Sequence, residues 1–107
     1  MIASGTQAAT VATEHTLATD TTNKVYVLKA DLSNLADGTT PDIVILRLYS
    51  KILSGGTERL VYEAVYIGAQ TADNVYSPPL PEDISCKATL LQTQGTGRSF
   101  PWSLLAI

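Results

Sequence analysis

A chain of 107 residues with one cysteine, one histidine and a formal net charge of −3 amounts to a single domain and leaves out several kinds of chemistry at once. Cys86 has no partner for an internal disulfide, and with only His15 beside it no Cys/His zinc set can be assembled. The basic residues Lys24, Lys29, Arg47, Lys51, Arg59, Lys87 and Arg98 are scattered, which speaks against the clustered charge that nucleic-acid phosphates demand.

Charged residues make up 16% of the chain and hydrophobic ones 45%, against roughly 25% charge in an ordinary soluble domain. Either a threonine-rich surface replaces the charge, or part of the apolar surplus is reserved for a partner. The opening MIASGTQAATVATEH has neither a basic stretch nor a long apolar one, so it does not read as a signal peptide. No apolar run approaches the roughly 18 residues that span a bilayer. The expectation is a chain made in a reducing cytoplasm, with no membrane partner.

Taken in order, residues 1–22 read as a flexible threonine-rich arm with two short strands, within 6–13 and 15–20. Glu14 and His15 lie next to each other there, but strand neighbours point to opposite faces, so they do not form a catalytic pair. From Lys24 to Leu32, Tyr26, Leu28, Ala30 and Leu32 fall on one face and Lys29 and Asp31 on the other, which Val25 and Val27 leave only partly polar, the mark of a strand with one buried side. LSNLADG (32–38) is too short for a helix and runs into the Asp-Gly and proline of ADGTTPD, a loop.

Ile43 to Leu53 is apolar almost throughout. Val44, Leu46, Leu48 and Ile52 share one face, and Ile43, Ile45 and Tyr49 share the other with Arg47 and Lys51. Such a strand is buried on both sides, in a sandwich centre or against a partner. SGGTE follows, and positive φ at Gly55 and Gly56 would close a tight hairpin over residues 43–67. In the returning strand Leu60, Tyr62, Ala64 and Tyr66 alternate with Arg59, Val61, Glu63 and Val65.

SPPLPEDI (77–84) concentrates three of the five prolines and reads as an edge or a crossover between sheets. Its Glu82–Asp83 pair has too few oxygen ligands for calcium. Ile84, Cys86, Ala88 and Leu90 then alternate with Ser85, Lys87 and Thr89, which makes Cys86 a small buried hydrophobe. GTGR (95–98) separates this run from Phe100, Trp102, Leu104 and Ala106. A phosphate-binding glycine loop needs a helix after it, and alternating apolar residues with Pro101 follow instead. GTGR therefore reads as a hairpin turn joining 84–93 to 99–107.

The sum is an all-β chain, a single antiparallel β-sandwich or jelly-roll-like barrel of seven or eight strands. It carries no catalytic constellation and calls for no cofactor or metal. The candidate contact residues are Tyr62, Tyr66, Arg98, Phe100 and Trp102, because aromatic and arginine side chains dominate interface hot spots. For the aromatic residues core packing is the competing account.

Two segments, SGGTERLVYEAVYIGAQ (54–70) and ATLLQTQGTGRSFPWSLL (88–105), resemble a set of small proteins of tailed bacteriophages and prophages. In that set a glycine-turn hairpin with a tyrosine-rich second strand accompanies a GTGR-aromatic-Pro-Trp strand. The resemblance implies a structural part of the virion, foremost a capsid decoration (cement) protein that binds the major capsid protein or other virion proteins. A homo-oligomer, with a trimer favoured, suits such a lattice. A head–tail connector, tail or head-fibre-base component is the alternative within the particle. A β-sandwich capturing carbohydrate on Tyr66 or Trp102 is the alternative outside it.

Overall fold

The period-two alternation is realised in the computed structural model, which describes residues 1–107, as nine strands and no helix. They are β1 (Ala3–Ala8), β2 (Glu14–Asp20), β3 (Lys24–Asp31), β4 (Ile43–Ser50), β5 (Arg59–Ile67), β6 (Asn74–Tyr76), β7 (Leu80–Glu82), β8 (Cys86–Gln94) and β9 (Ser99–Ala106). One sheet runs β1-β9-β3-β6 with β7 also on β3, and the other runs β2-β8-β4-β5; every pairing is antiparallel.

The order has a simple cause. The chain doubles back on itself as one long ribbon, in which β1 pairs β9, β2 pairs β8, β3 pairs β6 and β7, and β4 pairs β5 at the tip. The ribbon then winds so that β9 meets β3 in one sheet and β8 meets β4 in the other. With β6 and β7 taken as one interrupted strand, this is the wrapping of an eight-stranded jelly roll. The interruption is chemical: Pro78 and Pro79 lie between the two halves, and a proline cannot donate to the ladder. Hence the count of nine rather than seven or eight.

Between the sheets, Tyr26, Leu28, Ala30, Leu32, Val44, Leu46, Leu48, Cys86, Ala88, Leu90, Phe100 and Leu104 form the buried cluster together with Leu35. These are the inward positions read from the alternation. Burial of each large aliphatic side chain contributes about 1.5–3 kcal/mol.

Several local expectations are corrected. Residues 1–22 are woven into both sheets, with the first strand at Ala3–Ala8 rather than within 6–13. Ile52 does not continue the inward face of β4; the strand ends at Ser50 and Ile52 is 84% exposed. Leu60 does not share a face with Tyr62. A bulge opposite Leu48/Tyr49 sets Tyr49 against Leu60 and Leu48 against Tyr62, so the extra residue carries Leu60 outward. Gly55 and Gly56 do not adopt positive φ. The hairpin turns instead over residues 51–58, closed by Gly56 N donating to Leu53 O at 2.8 Å, and this longer loop needs no left-handed residue.

The largest correction concerns GTGR. β8 and β9 do not pair with each other; they lie in different sheets, and residues 95–98 arch across from one to the other. The phosphate reading stays excluded, since a strand follows, but the turn is not a hairpin. Gly95 takes φ 96°, and a Cβ there would lie 2.8 Å from Asp42 Cα and against its carboxylate. We expect Gly95→Ala to cost about 2–3 kcal/mol through its left-handed backbone alone, with the clash added. Gly55→Ala, which points into open space, should stay within about 0.5 kcal/mol of the parent. Urea midpoints of the two variants provide the comparison.

Candidate functional site

The five contact residues named from the sequence do not gather on one surface. Phe100 is fully buried in the core cluster and is withdrawn from any surface role. Trp102 is half-buried because it faces Gly5 across the β1–β9 register; its ring lies 3.5 Å from where a Cβ of Gly5 would be. Tyr62 and Tyr66 occupy the inner side of β5, packed half-buried against the core. Burial, and then the neighbouring Tyr62, push the Tyr66 hydroxyl pKa up.

Arg98 is an anchor. Its Nε donates to Asp42 Oδ2 at 2.8 Å, while Asp42 Oδ1 accepts from Thr96 N and Oδ2 from Ala36 N, each at 3.0 Å. Asp42 is 2% exposed. Burial alone would raise its pKa, but the bonds from Ala36, Arg98 and Thr96 outweigh that and hold it below the usual carboxylate range. This carboxylate ties the 95–98 arch to the start of β4.

What faces outward on the β2-β8-β4-β5 sheet is more instructive. Ile43 pairs with Ile67 and Ile45 with Val65, and Ile45 lies beside Leu91 on β8. Val65 is 50% and Ile67 58% exposed, and Leu60 and Val61 at the other end of β5 are exposed as well. An apolar band therefore lies on an outer sheet face, exposed along β5 and half-buried on β4 and β8. The sequence held the signal: β5 is apolar on both faces, as a central strand would be, yet it stands at a sheet edge.

Beside this band lies a polar network. Arg47 Nε donates to Glu63 Oε2 at 2.8 Å and its Nη1 to Glu14 Oε1 at 3.2 Å; Tyr49 and Thr89 each donate a hydroxyl to Glu14 Oε2 at 2.6 Å. Lys87 bonds Glu58 at 2.8 Å and sits 4.7 Å from the Tyr49 ring centre. Burial works to raise the Glu14 pKa, and the bonds from Thr89 and Tyr49 with the charges of Arg47 and Lys87 bring it down. Sequence reasoning had no access to this role of Glu14, whose partners are distant along the chain. His15 points the other way and accepts a bond from Thr10 N at 3.0 Å.

Glu14 and Asp42 are both held below their ordinary values in the folded protein, and so is Asp20, first by Thr22 and then by Tyr26. Their contribution to stability is therefore complete above the unfolded carboxylate range near pH 4 and is lost as pH falls through the folded values. Thermal midpoints should be insensitive to these groups between about pH 5 and 8 and fall below about pH 4. A midpoint rising on acidification would contradict the assignment.

No three His, Cys, Asp or Glu side chains converge in a metal-binding group. Cys86 is buried, and desolvation pushes its thiol up to about 12, far from a reactive thiolate. A shallow groove of about 190 Å³ on the other sheet is lined by Lys29, Asp31, Asn74, Tyr76 and Ser103 together with Trp102. No protein-family model, curated protein or solved structure matches the chain.

Proposed function

We propose that the chain is a structural protein of a tailed-phage virion that docks on the capsid lattice as a decoration protein. The observation that carries this reading is the outward apolar band of exposed Val65 and Ile67 with half-buried Ile43 and Ile45, flanked by the Glu63–Arg47–Glu14 network. An exposed apolar surface with a polar border is the anatomy of a protein-docking site. The resemblance of residues 54–70 and 88–105 to small phage proteins supports the same role, and jelly rolls serve in viral capsids as well as in lectins. The fold alone assigns no function.

The partner in this reading is the major capsid protein, and the location is the virion after synthesis in the host cytoplasm. Repetition over a lattice turns a modest contact into firm attachment, so neither a deep pocket nor a reactive group is needed.

Co-sedimentation of the purified chain with empty capsids of the phage that encodes it tests the proposal. Binding should saturate at lattice stoichiometry and weaken sharply in Ile45→Lys, whose fold is preserved because the position is only half-buried. Binding confined to one vertex would place the chain at the neck or tail, and no binding would overturn the reading.

A further inference from the structure

We infer that β5 is a self-association edge, pairing antiparallel with β5 of a second copy about a two-fold axis at Ala64. The fold has other open edges, and each offers less to a second copy than β5 does. β6 and β7 are three residues each, with Pro78, Pro79 and Pro81 along that edge. β2 carries a bulge between Thr16 and Ala18. Short strands, prolines and bulges discourage edge-to-edge pairing; β1, six residues long, has none of these but offers only Ser4, Gly5 and Thr6 at its centre and no apolar row. β5 has its own bulge at Val61, near one end, but from Tyr62 to Ile67 it runs regular, with no proline and no lysine and with Glu63 as its one charge.

Its register with a second copy can be derived. Gly68 N donates to Asp42 O at 2.8 Å, which makes 42/68 a bonded pair. Bonded and non-bonded pairs alternate in an antiparallel ladder, so Tyr66, Ala64 and Tyr62 bond inward to β4. Glu63, Val65 and Ile67 turn their N–H and C=O groups to the free edge. A second β5 must then bond through these same residues.

Three symmetric registers centred within residues 63–65 do so. Centred on Glu63, two carboxylates stand directly opposed, which is destabilising. Centred on Val65, Tyr62 falls opposite Gly68, whose φ of 66° has already left the strand. Centred on Ala64, the regular stretch pairs, Tyr62 with Tyr66 and Glu63 with Val65, and Ile67 falls opposite the bulge residue Val61. Each Glu63 keeps its own Arg47, the small Ala64 side chains meet on the axis, and the open apolar row of one copy continues into that of the other. The two four-stranded sheets become one. Because the pairing is a two-fold operation, it produces a dimer rather than the three-fold assembly expected from the resemblance.

Light scattering on the purified chain, without capsids, separates this from the docking proposal. The wild type should run as a dimer. Val65→Pro removes one outward-facing N–H, a position where an edge strand tolerates proline, so it should be a monomer with an unchanged circular dichroism spectrum. Ala64 faces its copy in a non-bonded pair with Cα atoms about 4.5 Å apart, inside disulfide range. Ala64→Cys should therefore form a disulfide-linked dimer on mild oxidation, and Val61→Cys, which faces Ile67, should not. A monomeric wild type, a trimer, a dimer that survives Val65→Pro, or equal cross-linking of both cysteine variants would each overturn the inference.

Discussion

Leu46→Asp should abolish folding altogether. Leu46 sits at the middle of β4, 3% exposed, between Ala64 of β5 and Leu90 of β8. A carboxylate there has no cation within the core and must either protonate or drag water between the sheets. Either course costs several kcal/mol beyond the lost aliphatic packing, against a total stability of about 5–15 kcal/mol for a domain of this kind. Circular dichroism of the purified variant should show no cooperative melting transition. Leu46→Ala, which only leaves a cavity, should retain a transition weakened by about 2–5 kcal/mol. A cooperative Leu46→Asp protein would mean that β4 does not pack where it is placed here.

The second large effect is expected at Asp42, where alanine should cost about 3 kcal/mol. Three donors lose their acceptor at once: Thr96 N, Ala36 N and Arg98 Nε. The two backbone amides are left without that partner near the interior, whereas the Arg98 side chain is 35% exposed and can turn to water. That difference orders the series. Asp42→Ala should be worst, and Asp42→Asn intermediate because it keeps one acceptor. Arg98→Ala should be mildest, since about one-third of the arginine already faces solvent. Urea midpoints measured at pH 7 give the ranking, and an Arg98→Ala loss as large as that of Asp42→Ala would show that the ion pair, not the turn geometry, holds the arch.

These two residues mark what the sequence could and could not reveal. Leu46 was legible because side-chain direction in a strand is a local property: Tyr26, Leu28 and Ala30, and likewise Val44, Leu46 and Leu48, alternate whatever their partner strand is. Asp42 was not legible, because its partners at 96 and 98 come from the far side of the ribbon. The same non-locality explains the arch at 95–98. A Gly-Thr-Gly turn serves a hairpin and a sheet-to-sheet crossing equally well. What decides is that β9 is claimed by β1 and β3, and nothing near residue 95 encodes that.

At the candidate surface the residue types were misleading for a related reason. Phe100 and Trp102 share a face on paper, yet what each meets is set by β1, where Gly5 opposite Trp102 leaves room for the indole. Leu60 was assigned to the wrong side because a bulge carries no reliable sequence mark. The apolar character of both faces of β5 was in view throughout, with Val61, Val65 and Ile67 on one side and Tyr62, Ala64 and Tyr66 on the other. Only the position of β5 at a sheet edge turns that pattern from a buried strand into a surface for docking.

Whether that surface serves a capsid is decided most directly by electron cryo-microscopy of particles purified from the phage that encodes the chain. The account predicts density for this jelly roll at every equivalent position of the capsid lattice, with the Ile43–Ile45–Val65–Ile67 band turned toward the shell. Particles lacking the chain, or carrying it only in a single ring at the neck or tail, would contradict it.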